Sequence, residues 1–478
     1  MTDRPPKPPT ITVNKLKTGS FERRFSLAKA SVIAGTRLAT LSAINLFSSD
    51  KEARQRKQKE ILSQQAQYLV NELGKLKGSI VKAGQMLALW GEHFLPKEIT
   101  DALHTLEDQT AALEWCTIRS VLANELGEAV LQQFYIDPNP IGCASLGQVH
   151  LAKRLSDNTL ICFKVQYPGV AEAIDSDLNT LKQLLALTQL VPITKEFEAW
   201  LDEIRAMMKR EVNYTLEKQT TECFYQRLAQ DSRFIVPKVY AEYCSHKVLA
   251  TAYEPGLHFN SAEIQQLPQI RKNAIAKACI DLCWKEVFEW GEMQTDPNFG
   301  NYFVKLGNAE QIDRIILLDF GAIKTFSTEL LSAGKELITG AFFHDEQRIK
   351  NAIFNLNFLE PTTPNSIIQS FAQLCYIAIE PFSNPDKGHV QPQYLNPLGE
   401  YSWLRSELAT RMIKQTTKSA SSRYFSLPPK EFMFLSRKFV GAYTLMSILE
   451  AEFNGYEILK PYIDINENIQ IQRLTRLQ

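Results

Sequence analysis

Asp296 and Asn301 stand five positions apart in Met293-Gln294-Thr295-Asp296-Pro297-Asn298-Phe299-Gly300-Asn301, and Asp319 opens Asp319-Phe320-Gly321 further on. Between them Tyr302–Lys305 and the apolar run Ile315–Leu318 read as short strands. Asp296, Asn301 and Asp319 each offer a hard oxygen at a strand end. Magnesium takes a few such oxygens and keeps its remaining positions for water and phosphate. The spaced set therefore points to a magnesium–triphosphate site. Asp-Phe-Gly alone would not, because a strand ending in an acidic turn at Gly321 reads the same way.

Protein kinases use the same five-residue gap between the Asp that orients the attacking hydroxyl and the Asn that holds magnesium. Such a site also needs a strand lysine for the phosphates and a helix glutamate to fix it. Ile161-Cys162-Phe163-Lys164-Val165 puts Lys164 in an apolar strand, where a charge is expensive unless paired. Glu217, 53 residues later on a helical segment, is the expected partner. Taken singly, the two also fit an edge-strand lysine and a solvated glutamate; their order before Asp296 favours the pair. Neither G-x-x-x-x-G-K-[ST] nor G-x-G-x-x-G occurs. Where a glycine-rich loop should stand, the chain reads Gly142-Cys143-Ala144-Ser145, small enough for backbone amides to approach phosphate.

The surrounding order is strands, inserted helices, more strands, then mainly helices. Gly147–Lys153 and Thr159–Gln166 read as strands joined at Ser156-Asp157-Asn158. Residues 170–190 and 196–230 are helical, Val236–Tyr243 and Lys247–Tyr253 are strands, and Ile270–Gly291 is a long helix. The expected class is α+β: a two-lobe, protein-kinase-like fold preceded by a helical N-terminal extension, which the family resemblance given below places over the cleft. Its expected parts are a basic flexible arm with an amphipathic segment at 1–50, a helical extension at 51–127, a β-rich lobe with inserted helices at 128–254, and a helical lobe with the catalytic loop at 255–478.

At 478 residues with 45% hydrophobic and 22% charged residues, the chain can build more than one core. Its formal net charge of zero provides no global field for nucleic acid. Residues 1–60, however, carry 13 Lys/Arg against 5 Asp/Glu, which suits a solvated arm or an anionic membrane surface. Gly35, Ala39 and Ala43 would line one helix face, open to a second helix in a membrane or homodimer, or to the protein's own core. Met1–Pro9 has no apolar core and no Arg/Ser-rich pattern, so the expected location is cytoplasmic and peripheral to the membrane. The eight cysteines lack metal spacing and read as reduced core residues, with Cys279 and Cys283 on one helix face.

These stretches resemble the UbiB family of atypical kinases, the AarF-domain proteins tied to ubiquinone biosynthesis. The match runs over roughly residues 75–325: Lys82-x-Gly84-Gln85, the loop Gly142–His150, Phe163–Val170, Glu211-Val212-Asn213 with Glu217, Asp296–Asn301 and Asp319-Phe320-Gly321. Gln166–Val170 and Met293–Asn298 are most similar to the mitochondrial-type coenzyme Q branch. The resemblance implies ATP or ADP and Mg2+ as cofactors. Lys164 would contact the α/β-phosphates, Asp296 would take the catalytic position, and Asn301 and Asp319 would bind the metal. Gly142, Cys143, Ala144 and Ser145 would face the nucleotide. Lys82, Gly84 and Gln85 would gate the cleft, with Glu211 reaching toward them and Lys82 near the chemistry. The implied partners are a quinone-like or isoprenoid lipid, an anionic membrane and other quinone-biosynthesis proteins.

Two departures stand out: an amide, Asn213, replaces the family's acid, and Gly142-Cys143-Ala144 replaces an alanine triplet. No Ala-Pro-Glu element follows Gly321, so the usual platform for a protein substrate is missing and a small or lipid-like acceptor, or water, is expected. The competing reading is a pseudokinase scaffold that binds nucleotide without turnover. A small-molecule phosphotransferase shares the fold plan but leaves Lys82–Gln85 unexplained.

Overall fold

The computed structural model describes residues 63–64, 79–90, 101–103, 112–144, 146–187, 194–295, 299–308, 311–359, 362–384, 387–420 and 430–463. The basic arm, the small-residue stripe at Gly35, Ala39 and Ala43, Ser145 and Asp296 lie outside these residues. The chain divides into two compact units, one of residues 1–223 and 238–253, the other of residues 224–237 and 254–478.

The first unit is built on an antiparallel sheet of order β1-β2-β3-β5, from Phe134–Cys143, Gly147–Arg154, Leu160–Gln166 and Val248–Ala252. β1 contains Pro138 and Pro140, which cannot donate to a ladder. It accordingly lies at the sheet edge, with register shifts around Pro140. Along β3, Ile161, Phe163 and Val165 turn into the core while Cys162 and Lys164 fall on the opposite face, the period-2 pattern of a strand. Phe163 meets Phe134 edge-on at 5.3 Å, and Phe134 meets Tyr243 at 4.9 Å. Helices α1 (Ser79–Trp90), α2 (Trp115–Leu126), α3 (Val170–Leu187) and α4 (Lys195–Glu211) belong to this unit. α1 packs on α3 and α4, and Ser79 donates to the Asp177 carboxylate of α3.

Two sequence expectations need correction. The helix expected over 196–230 is broken at Val212-Asn213 into α4 and α5 (Tyr214–Arg227). Asn213 Oδ1 accepts from Leu216 N at 3.0 Å and so caps α5, satisfying one of the amides orphaned at a helix start. The strand expected at Val236–Tyr243 is not formed: the two-residue β4 (Phe234–Ile235) ends just before it, and the stretch itself makes a single bridge from Val239 to Thr251 and a 3-10 turn at Ala241–Tyr243.

In the second unit, α6 (Gln269–Trp284) runs into a π-helical turn, Lys285–Glu289, and then β6 (Glu292–Gln294). β7 (Tyr302–Lys305) and β8 (Arg314–Leu317) form a hairpin, with β4 added in parallel to β8, while β6 pairs with β9 (Ile323–Thr325). Helices follow, among them α7 (Thr328–Phe343), α8 (Glu346–Asn355), α9 (Asn365–Ile379), α10 (Leu408–Ala420) and α11 (Lys430–Ile448). Their core is aromatic: Trp284, Phe382, Trp403, Tyr443 and Phe453 are buried against one another. Cys279 and Cys283 are buried on α6 as expected, and burial pushes the Cys283 thiol up to about 12. No helix among the described residues is long and apolar enough to cross a membrane.

Candidate nucleotide and metal site

Lys164 and Glu217 meet in the first unit. Lys164 Nζ donates to Glu217 Oε1 at 2.6 Å, and the glutamate side chain is 1% exposed against 21% for the lysine. The ammonium also lies 5.3 Å from the centre of the Tyr214 ring. Local chemistry sets this pairing. β3 alternation turns Lys164 away from the core, and the break before α5 puts Glu217 in the first turn of a helix, where negative charge is favoured. Gln166, two residues beyond Lys164, donates from Nε2 to Val212 O at 2.7 Å and so holds the break against the same strand.

The small-residue loop ends β1 and opens β2. Ala144 N donates to Gly147 O at 2.8 Å, and Tyr167 N to Leu146 O at 3.0 Å. A Cβ on Gly147 would lie 2.7 Å from both Tyr214 Oη and Val165 O, so only glycine fits there. At Gly142 the nearest atom to such a Cβ is Val149 Cβ at 4.0 Å, which leaves room for alanine. The Cys143 thiol is raised by burial and so stays protonated.

Lys82 and Glu211 also come together: Lys82 Nζ lies 2.8 Å from Glu211 Oε1, tying α1 to the end of α4. Gly84 is buried on α1. The Gln85 side chain lies outside the described residues.

In the second unit Asn301 and Asp319 occupy one end of the β7–β8 hairpin. Leu318 N donates to Asn301 O at 3.0 Å, and Tyr302 pairs with Leu317. Asp319 Oδ1 accepts from Gly321 N at 2.9 Å, while Phe320 is buried against Phe224. The segment before Asp296 is anchored to the same stretch. Gln294 Nε2 donates to Asp319 O at 3.1 Å, and Thr295 donates to Ala322 O from N at 2.9 Å and from Oγ1 at 2.7 Å. An amide oxygen and a carboxylate at one hairpin end are donors of the kind magnesium takes.

Motif reading had missed a polar network beside the loop. Gln148 and His150 are fully buried on β2. Gln148 Oε1 accepts from Leu113 N at 2.8 Å, its Nε2 lies 2.8 Å from His150 Nε2, and His150 Nδ1 lies 2.8 Å from Asp137 O. The Asp137 carbonyl places a proton on Nδ1 and the Gln148 amide nitrogen faces Nε2 as a donor, so the geometry suits the neutral ring, and burial lowers its pKa. The available signal was two polar side chains two positions apart on one face of an apolar strand, but Leu113 and Asp137 carry no motif.

The family model for the ABC1 atypical kinase-like domain matches residues 105–353, about half of the chain. The probable serine/threonine-protein kinase abkA of Dictyostelium discoideum is 29% identical over 414 residues, covering 84% of this chain and 71% of that protein. The mitochondrial atypical kinase COQ8 of Saccharomyces cerevisiae is 28% identical over 396 residues, covering 82% of this chain and 75% of that protein. A solved complex of Rv3197 with erythromycin from Mycobacterium tuberculosis superposes with a TM-score of 0.56 at 21% identity, over 86% of this chain and 98% of that chain. The family model and the likeness to Rv3197 together show a kinase-like fold of mixed helix and sheet.

Proposed function

The chain belongs to the ABC1 atypical kinase-like family, and from that premise we propose that it is an ATP-binding atypical kinase or ATPase supporting ubiquinone biosynthesis at a membrane surface. The observation that carries this reading is the Lys164–Glu217 ion pair at 2.6 Å, with the carboxylate almost fully buried. A buried glutamate held to a partly exposed lysine leaves that lysine oriented and charged, as phosphate contact requires. Lys164 takes the α/β-phosphates, and the amides of Gly142–Ser145 approach them. Asn301 and Asp319 would hold Mg2+, which would supply charge neutralisation for phosphoryl transfer. Asp296 orients the attacking hydroxyl or water.

Lys82, Gly84, Gln85 and Glu211 form a gate that disfavours bulky protein substrates, so the acceptor is small, lipid-like or water. Residues 1–50 act as the membrane-facing arm, 51–127 as the gating extension, 128–254 as the nucleotide lobe and 255–478 as the catalytic lobe. The matched COQ8 proteins carry "mitochondrial" in their names, which suits a peripheral membrane partner in quinone biosynthesis.

The test is phosphate release from magnesium–ATP by the full chain, with and without anionic vesicles and a quinone-like compound. Asp319→Asn should lower turnover on the order of a hundredfold, the scale for losing one preorganised electrostatic contact. Nucleotide binding with no release above background, in wild type and variant alike, would favour the scaffold instead.

A further inference from the structure

Lys438 lies on α11, beyond the residues matched to the family domain, and is 5% exposed. Its Nζ sits 3.0 Å from Glu286 Oε2 and donates to Tyr302 Oη at 3.0 Å. Glu286, 2% exposed, lies in the π-helical turn that ends α6, and its Oε1 faces Gln294 N at 3.5 Å. Burial pushes the Glu286 carboxyl up; it also works against the Lys438 ammonium, whose pKa the facing carboxylate nonetheless holds above the ordinary lysine range.

An ion pair this deep is expensive to desolvate, and apolar side chains of similar volume would often be as stable or more so. Its use is best sought in what it holds in register. Gln294 stands two residues before Asp296, and Tyr302 directly follows Asn301. The carbonyl of Asn301 is in turn bonded to Leu318 N, next to Asp319. α11 reaches the other flank too, where Lys324 lies 4.2 Å from the Phe434 ring and pairs with Met293 along β6 and β9.

We infer that Lys438, Glu286 and Tyr302 are positioning residues: a buried strut from α11 that holds Gln294 at one end and Tyr302 at the other, and thereby the backbone of Asn301, the residue proposed above as a metal ligand. The inference rests on the nucleotide-handling reading above, so its test needs one readout free of turnover.

Three full-length variants serve: Tyr302→Phe, Lys438→Met, and the double variant Glu286→Met with Lys438→Met. The double variant removes both charges, so it should fold even if Lys438→Met alone does not. Hydrogen exchange of the peptide covering residues 294–302 is measured on nucleotide-free protein, and Mg2+ is titrated against phosphate release. The expected result, in Tyr302→Phe and the double variant, is exchange roughly tenfold faster at 294–302, a network coupling of ordinary size. Exchange over β1–β3 should stay unchanged. The Mg2+ needed for half-maximal turnover should rise while the KM for nucleotide moves little. Wild-type exchange at 294–302 in the folded double variant would overturn the strut and leave only core packing. Absence of turnover in wild type would sink the functional reading, and the exchange comparison would still decide the strut.

Discussion

At the residue scale, Lys164 and His150 show how burial turns chemistry into stability or binding. On the proposed reading, Lys164→Ala removes a phosphate-contacting charge from β3 and takes from the buried Glu217 carboxylate its ion-pair partner at 2.6 Å. Nucleotide contact by a charged donor contributes about 1.5–3 kcal/mol, so affinity should fall tenfold to a hundredfold. Thermal shift with magnesium–ATP reads this, and an unchanged ligand-induced shift would remove Lys164 from the site. His150 makes a different prediction. Its folded pKa lies below the unfolded value, so the unfolded chain binds the proton more readily. The stability of the neutral form is fully present above about 6.5 and is lost as pH falls from there through the folded value. Urea midpoints should therefore drop between pH 7.5 and 5 more steeply in wild type than in His150→Gln. Parallel curves would show that the network carries no proton linkage.

At the element scale, the break between α4 and α5 matters more than either helix. It lets Glu217 enter a first turn facing Lys164, and Asn213 caps that turn. Asn213, where the resembled family carries an acid, caps α5 because its amide oxygen accepts a backbone proton as a carboxylate oxygen would. Asn213→Ala should destabilise the fold by about 1 kcal/mol, and Asn213→Asp should hold or raise stability by a few tenths. Urea unfolding of the three forms checks the order, and equal midpoints for Asn213→Ala and wild type would mean the cap is idle. The break was not legible in advance because Arg210–Thr215 contains neither Gly nor Pro, and helical periodicity continues across it. The contact that holds it is a tertiary one, from Gln166 Nε2 to Val212 O at 2.7 Å. The strand expected at Val236–Tyr243 failed for a related reason. Its residues favour strand, but Lys238 O and Tyr240 N bond to β5 only at intervals, and the chain turns at Ala241.

At the scale of the whole molecule, the first 60 residues carry a basic excess that an equal acidic excess over the rest of the chain cancels to a net charge of zero. Each Lys or Arg near an anionic surface contributes about 1 kcal/mol, screened by salt. A truncation beginning at Lys51 should lose co-sedimentation with anionic liposomes at low salt, while full-length binding should weaken as salt rises. Equal sedimentation of both forms would assign the membrane contact elsewhere. The sequence by itself determined the parts that depend on local order: the Asp296–Asn301 gap, the Asp-Phe-Gly turn, Lys164 on a strand of period two, and the hairpins at β2–β3 and β7–β8. Short-range patterning suffices for these because strand alternation and turn chemistry act over a few residues. Apart from Lys164 with Glu217, expected from their order in the chain, the tertiary structure decided which distant groups meet. The pairing of Lys82 with Glu211 was implied by family resemblance, and the strut from Lys438 to Tyr302, 136 positions apart, was not foreseen at all. A lone charge in an apolar helix carries no address for its partner, because long-range pairing is set by how the elements pack.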